Sequence, residues 1–154
     1  MNEEVKKIVA KAANYCSKSE HCIAEVEEKL RQWGASKGDY DQIIDYLVSE
    51  RFIDHSRYAR SFVRDKFQFN GWGKQKIRAI LREKRVESEI ISLALEEIDE
   101  ELYLSKLQLL LQQKARTLSG EDSYSRNGKL YRFALSRGFE STLISGLLKM
   151  DLNE

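Results

Sequence analysis

The chain has 154 residues, 33% of them charged and 42% apolar, and a formal net charge of +1. That mixture is too apolar for a disordered chain and supplies enough apolar side chain for a core, while no apolar run approaches the roughly 20 residues of a membrane span. There is no proline, where a usage of about 5% would give several. Because proline interrupts helices, its absence predicts an almost entirely helical chain.

The N-terminal segment MNEEVKKIVAKAANYC mixes acids with lysines and does not read as a signal peptide. With two cysteines and no export signal, the chain reads as cytosolic with reduced thiols. Apolar residues at 5, 8, 9, 12 and 15 predict a first helix over Val5 to Tyr15. A second follows over Ile23 to Trp33 with Val26 and Leu30 inward, and Gly34 suits a left-handed C-terminal cap. After the turn SKGD, with Asp39 as N-cap, Tyr40, Ile43, Ile44, Leu47 and Val48 form a third.

Asp54 caps a fourth helix whose apolar face is Tyr58, Ala59, Phe62 and Val63. Gly71-Trp72-Gly73 breaks the chain, and Ile77, Ile80 and Leu81 face inward from a fifth. Ile90, Ile91, Ala94, Leu95 and Ile98 mark a sixth. The long stretch Leu102 to Leu118 carries Leu104, Leu107, Leu110 and Leu111; at under three heptads it reads as core packing rather than a coiled coil. Leu130, Phe133 and Ala134 belong to an eighth helix, and Leu143, Ile144, Leu147 and Leu148 to the last.

These helices repeat in threes. Leu30 to Ala35, Leu81 to Val86 and Ala134 to Phe139 align, each followed by an aliphatic pair (Ile43-Ile44, Ile90-Ile91, Leu143-Ile144) and, four residues on, a second apolar pair. The second and third copies match without gaps at a spacing of 53, and the first needs only the SKGD insertion. The expectation is an all-α chain of three tandem three-helix repeats, 1–53, 54–98 and 99–154, each burying part of its face against the next.

The near-zero net charge hides a basic middle. Residues 51–86 hold 11 of the 26 Lys and Arg residues and only three acids, a local charge of +8. Arg57, Arg60 and Arg64 recur at i, i+3, i+7, and Lys74, Arg78, Arg82 and Arg85 at i, i+4, i+8, i+11. Acids on the same helices are too few to pair them, so the stripe points to a polyanion or an acidic partner, bound without sequence readout. Phe67, Phe69 and Trp72 lie among these bases and read first as interhelical packing, with base stacking as the alternative. The amides after Gly71-Trp72-Gly73 are a weak candidate for anion binding.

Catalytic signals are lacking. Cys16, His21 and Cys22 match no usual zinc spacing, and Asp54-His55-Ser56 cannot converge as a triad because the three are sequence neighbours. No phosphate-binding loop or nucleophile elbow occurs, so neither an enzyme nor a cofactor is expected.

The segment YLVSERFIDHSRYARSFV (46–63) resembles the pattern "aromatic/Gly-Ile-Asp-Asp-x-Arg-Phe-Ala-x-x-Phe-Val", and Trp72-Gly73-Lys74 to Val86 resembles the "Gly-x-x-Lys/Arg-Ile-x-x-x-Leu-x-x-Lys-Gly-Val/Ile" that follows it in the RecX family, bacterial regulators of the RecA recombinase. Lys29-Leu30-x-x-Trp33-Gly34 and Phe133-x-x-Ser136-Arg137-Gly138-Phe139 are similar to that family's first and third repeats. The resemblance implies a curved, elongated repeat array that binds in the groove of the RecA–DNA filament and inhibits ATP hydrolysis and strand exchange. It also implies partners limited to RecA and to single- or double-stranded DNA, the latter bound weakly and without sequence preference, by a monomer with no membrane contact. A general DNA- or RNA-binding repeat protein and a scaffold for an acidic protein are the competing readings. The chain departs from the family pattern at His55, where a second Asp is usual, at Arg51 and Arg85, where glycines are common, and at Cys22, where a Ser would cap a helix better.

Overall fold

The structure, a computed structural model, describes residues 1–152, with side chains through residue 150. The described residues form nine α-helices and no strand: α1 (Glu3–Lys18), α2 (Ile23–Gln32), α3 (Tyr40–Ser49), α4 (His55–Gln68), α5 (Lys74–Glu83), α6 (Ser88–Glu96), α7 (Glu100–Arg116), α8 (Ser123–Ser136) and α9 (Ser141–Leu152). The chain is all-α, as its missing prolines predict.

Side-chain caps start several of these helices. Asn2 accepts from the Val5 N–H at 2.8 Å, Asp54 from Arg57 at 3.1 Å, Asp99 from Leu102 at 3.0 Å and Asp122 from Ser125 at 2.8 Å. Asp39 does not cap α3. It closes a 3₁₀ turn, Lys37–Asp39, that runs straight into the helix, so its backbone is already helical and its side chain makes no cap bond. Cys22 occupies the N-cap of α2, where the Glu25 carboxylate accepts from its N–H at 3.3 Å.

One helix ending recurs at the three aligned positions. The N–H of Ala35 reaches Leu30 O at 3.0 Å, that of Val86 reaches Leu81 O at 3.1 Å, and that of Phe139 reaches Ala134 O at 3.2 Å. In each, the residue before the donor is left-handed: Gly34 at φ 77°, Arg85 at φ 62° and Gly138 at φ 100°. This 6→1 closure is the Schellman ending. Its appearance at all three places gives a backbone counterpart to the repeat read from the sequence.

The chain divides into two compact units, one made of Met1–Ser61 with Leu81–Ala94, the other of Phe62–Ile80 with the chain from Leu95 on. In the first, α1, α2 and α3 enclose Val5, Val9, Ala12, Val26, Leu30, Ile43 and Leu47. In the second, α7, α8 and α9 pack together, and a row of rings, Phe67, Tyr103 and Phe139, runs through it at centroid spacings of 5.8 and 5.2 Å. The leucine pattern of α7 hid Tyr103, which is fully buried, whereas Leu104 on the next face is partly exposed.

Leu81 is fully buried, and Leu81→Ala is expected to cost about 2–5 kcal/mol. Phe62, which the sequence places at the centre of its apolar face, is only half-buried, its ring edge-on to Trp72 at 6.3 Å. Its truncation should therefore cost roughly 1–2 kcal/mol. Urea melts of the two variants separate the assignments; equal losses would place both rings of contact at the same depth.

Candidate nucleic-acid interface

The stripe read from the sequence is divided between the two units. Arg57, Arg60, Arg82 and Arg85 belong to the first, and Arg64, Lys74 and Arg78 to the second. Arg85 is not on a helical row, because α5 ends at Glu83 and Arg85 sits in the left-handed turn beyond it.

Within the first unit, carboxylates brought by the fold neutralise much of the row. Arg57 meets Glu20 at 3.0 Å and Asp54 at 3.9 Å and donates to the Arg51 carbonyl at 2.8 Å. Lys84 meets Glu25 at 3.0 Å, and Arg85 meets Glu27 at 2.7 Å. Counting acids along the same helix missed Glu20, Glu25 and Glu27, which come from 37, 59 and 58 positions away in sequence. Arg60 and Arg82 are exposed.

Glu25 is the hub of this unit. Its carboxylate accepts from Lys84, from the Tyr58 hydroxyl at 3.2 Å, from the Cys22 N–H and from His21 at 3.1 Å. Burial opposes its charge, yet the Lys84 and His21 hydrogen bonds hold its carboxyl below the ordinary value of 4.5. A depressed acid stabilises the fold above that value and loses the contribution as pH falls through its folded pKa. Glu25→Gln is thus expected to cost about 1–2 kcal/mol at pH 7, with the gap from wild type narrowing below about pH 4. Melting temperatures at pH 7 and pH 3.5 check this; a gap that is constant with pH would remove Glu25 from the linkage.

His55 also serves the fold. Its Nε2 accepts the first-turn amide of Ile23 at 3.1 Å while Nδ1–H donates to Glu87 at 2.8 Å, which requires the Nδ1 tautomer. Both cysteines are buried and free; burial pushes the Cys16 thiol up to about 11 and raises Cys22 as well. Among the described residues, no three His, Cys, Asp or Glu side chains gather as metal ligands would.

In the second unit the balance differs. Lys74 is taken up by Glu100 at 3.3 Å and lies over the Tyr103 ring at 4.6 Å. The other bases of 62–80 differ: among the described residues no carboxylate pairs with Arg64, Lys66, Lys76 or Arg78, and Arg78 bonds only neutral Gln75, at 3.0 Å. Lys66 and Lys76 flank the half-buried Trp72 ring at 5.0 and 4.3 Å, and Lys66 also covers Phe62 at 5.5 Å. Such contacts hold ammonium groups at an aromatic face without neutralising them. The sequence reading named neither Lys66 nor Lys76. The available signal was a spacing of four in both cases: Phe62 to Lys66 is one turn of α4, while Trp72 lies just before α5 and Lys76 in its first turn. Of the three aromatics singled out, Phe67 is buried packing, Trp72 carries the lysines, and Phe69 is 81% exposed.

The start of α5 is no anion site. The N–H groups of Gly73, Lys74 and Gln75 donate to Arg137 O at 2.8 Å, to the Tyr103 hydroxyl at 2.9 Å and to Gly138 O at 2.9 Å. The end of α8 and the Tyr103 hydroxyl fill the place an anion would take, and that hydroxyl in turn donates its hydrogen bond to Glu140.

Residues 54–95 match the family model of the second three-helix domain of RecX, and residues 100–148 match that of the third. The chain belongs to the RecX family. It is 34% identical over 131 residues to the regulatory protein RecX of Clostridium botulinum (strain Eklund 17B / Type B), an alignment covering 84% of this chain and 61% of that one. The chain therefore spans about three-fifths of that RecX protein's length. Prosthecochloris aestuarii RecX is 28% identical over 143 residues, covering 93% of this chain and 92% of its own. The crystal structure of RecX from Lactobacillus salivarius superposes with a TM-score of 0.85 at 25% identity, covering 99% of both chains. The tandem three-helix architecture expected from the sequence thus has counterparts in the second and third domains of RecX. Both relatives named here carry the name of a regulatory protein, which specifies regulation and no reaction. No described helix is long and apolar enough to cross a membrane.

Proposed function

We propose that this RecX chain regulates RecA by binding the RecA–DNA filament and inhibiting its ATP hydrolysis, strand exchange and coprotease activity, without a reaction or cofactor of its own. It acts in the cytoplasm as a monomer, in DNA repair and recombination, and its repeats are 1–53, 54–98 and 99–154. The observation that carries the reading is the uncompensated charge of the second unit, where Arg64, Lys66, Lys76 and Arg78 meet no carboxylate among the described residues. A filament of protein on DNA is a polyanion, and bases that are already neutralised add little to binding it.

The test is a titration of the purified chain against labelled DNA alone and against the same DNA coated with RecA, with ATP hydrolysis followed in parallel. Binding to coated DNA well above that to bare DNA, with hydrolysis falling as sites fill, is the expected result. Equal binding to both with hydrolysis unchanged would instead establish a general nucleic-acid-binding repeat protein.

A further inference from the structure

The left-handed turn that ends the aligned helices uses glycine in two copies and Arg85 in the third, at φ 62°. A residue with a Cβ is strained there where glycine is not, and strain of this kind is kept when the side chain does something the relaxed residue cannot. The Arg85 side chain does not serve the core, since it is 62% exposed. Among the described residues its one bond is to Glu27, at 2.7 Å.

The adjacent pair, Lys84 with Glu25, has the same polarity and joins the same two stretches of chain. Yet Glu25 is tied by Tyr58 and the Cys22 amide as well, so that pair is fixed. Glu27 has no such second hold: among the described residues its carboxylate bonds Arg85 alone. A carboxylate offers a guanidinium the same paired oxygens and charge that a phosphate does. Glu27 thus occupies Arg85 as a phosphate would.

We propose that Arg85 is a gated phosphate contact: Glu27 holds its guanidinium in the free protein and yields it to a nucleic-acid backbone phosphate on binding. The inference rests on the polyanion reading given above. Exchange is cheap because an exposed ion pair contributes little net stability, while a phosphate contact releases condensed counterions.

A double-mutant cycle tests it, with a fluorescent oligo-dT strand titrated at several salt concentrations against wild type, Glu27→Gln, Arg85→Gly and the double variant. Glu27→Gln is expected to tighten binding about two- to fivefold with the log–log salt slope unchanged, since Arg85 reaches the phosphate in both proteins, whereas Arg85→Gly should flatten the slope by about 0.7, one phosphate on a single strand. The gain from Glu27→Gln should vanish in the Arg85→Gly background. Arg85→Gly relaxes the turn, so it should melt no lower than wild type, and a loss of binding there is not unfolding. A gain from Glu27→Gln that survives Arg85→Gly reduces the effect to net charge and overturns the gate, as does the absence of any gain. Reversing Arg64, Lys76 and Arg78 in the same assay separates the two ideas: if that abolishes binding while the cycle is flat, the polyanion reading stands and the gate falls. If wild type does not bind the strand at all, both fall.

Discussion

Gly73→Ala is expected to lower the stability of the fold by about 3 kcal/mol or more. A Cβ on Gly73 would fall well inside contact distance of the Gly138 carbonyl and the Phe139 nitrogen, all backbone atoms that no rotamer change can move aside. The same crossing carries the Gly73 and Gln75 amide bonds to Arg137 O and Gly138 O, so separating the two segments sacrifices hydrogen bonds as well as packing. Gly138→Ala meets the crossing from the other side: its Cβ would lie 2.7 Å from the Lys76 nitrogen and 3.0 Å from Gly73 O, at a φ of 100°. Gly146→Ala is the control. It sits in α9 with nothing within 4 Å of a new Cβ, and removing a helix-interior glycine should stabilise by roughly 0.5–1 kcal/mol. Denaturant melts of the three decide the matter; a Gly73→Ala protein as stable as wild type would mean that the two backbones do not cross as described.

What could be read from the sequence was what the local pattern determines. Helical periodicity with no proline placed all nine helices, and the aligned Leu30, Leu81 and Ala134 marked three turns that share one backbone geometry. Misplaced residues are those whose surroundings are set by distant chain. Phe62 fits an apolar stripe but lies at its edge, while Tyr103 interrupts a leucine run and is core because Phe67 and Phe139 reach it from far along the chain. The partners of the basic stripe were hidden for the same reason. No count of acids along α4 and α5 could show that Glu20 arrives from the α1–α2 loop, Glu25 and Glu27 from α2 and Glu100 from α7 to take Arg57, Lys84, Arg85 and Lys74. Nor could the free-looking amides at Gly73, Lys74 and Gln75 reveal that the end of α8 and Tyr103 would supply their acceptors.

Reversing Arg64, Lys76 and Arg78 to Glu is expected to weaken binding to single-stranded DNA on the order of a hundredfold and to flatten its log–log salt slope by roughly 2, three contacts at about 0.7 each. These three are chosen because no described carboxylate holds them and because Arg64 is exposed while Lys76 and Arg78 are half-buried, Lys76 over the Trp72 ring. Filament binding and RecA inhibition should fall with it. The same reversal at Lys6, Lys7 and Lys37 changes the net charge equally at exposed positions in the first unit and should shift affinity several times less. A general field would treat the two sets alike, because it depends on total charge, whereas at 0.1 M salt attraction beyond about 10 Å is screened and only bases near the phosphates act. A local contact surface would not. Both triple variants must melt close to wild type, since loss of the lysine over Trp72 removes packing as well as charge. If the folded Arg64, Lys76 and Arg78 variant still binds and inhibits at wild-type concentrations, the surplus charge of the second unit is a solvated face, and the polyanion must be held by other residues.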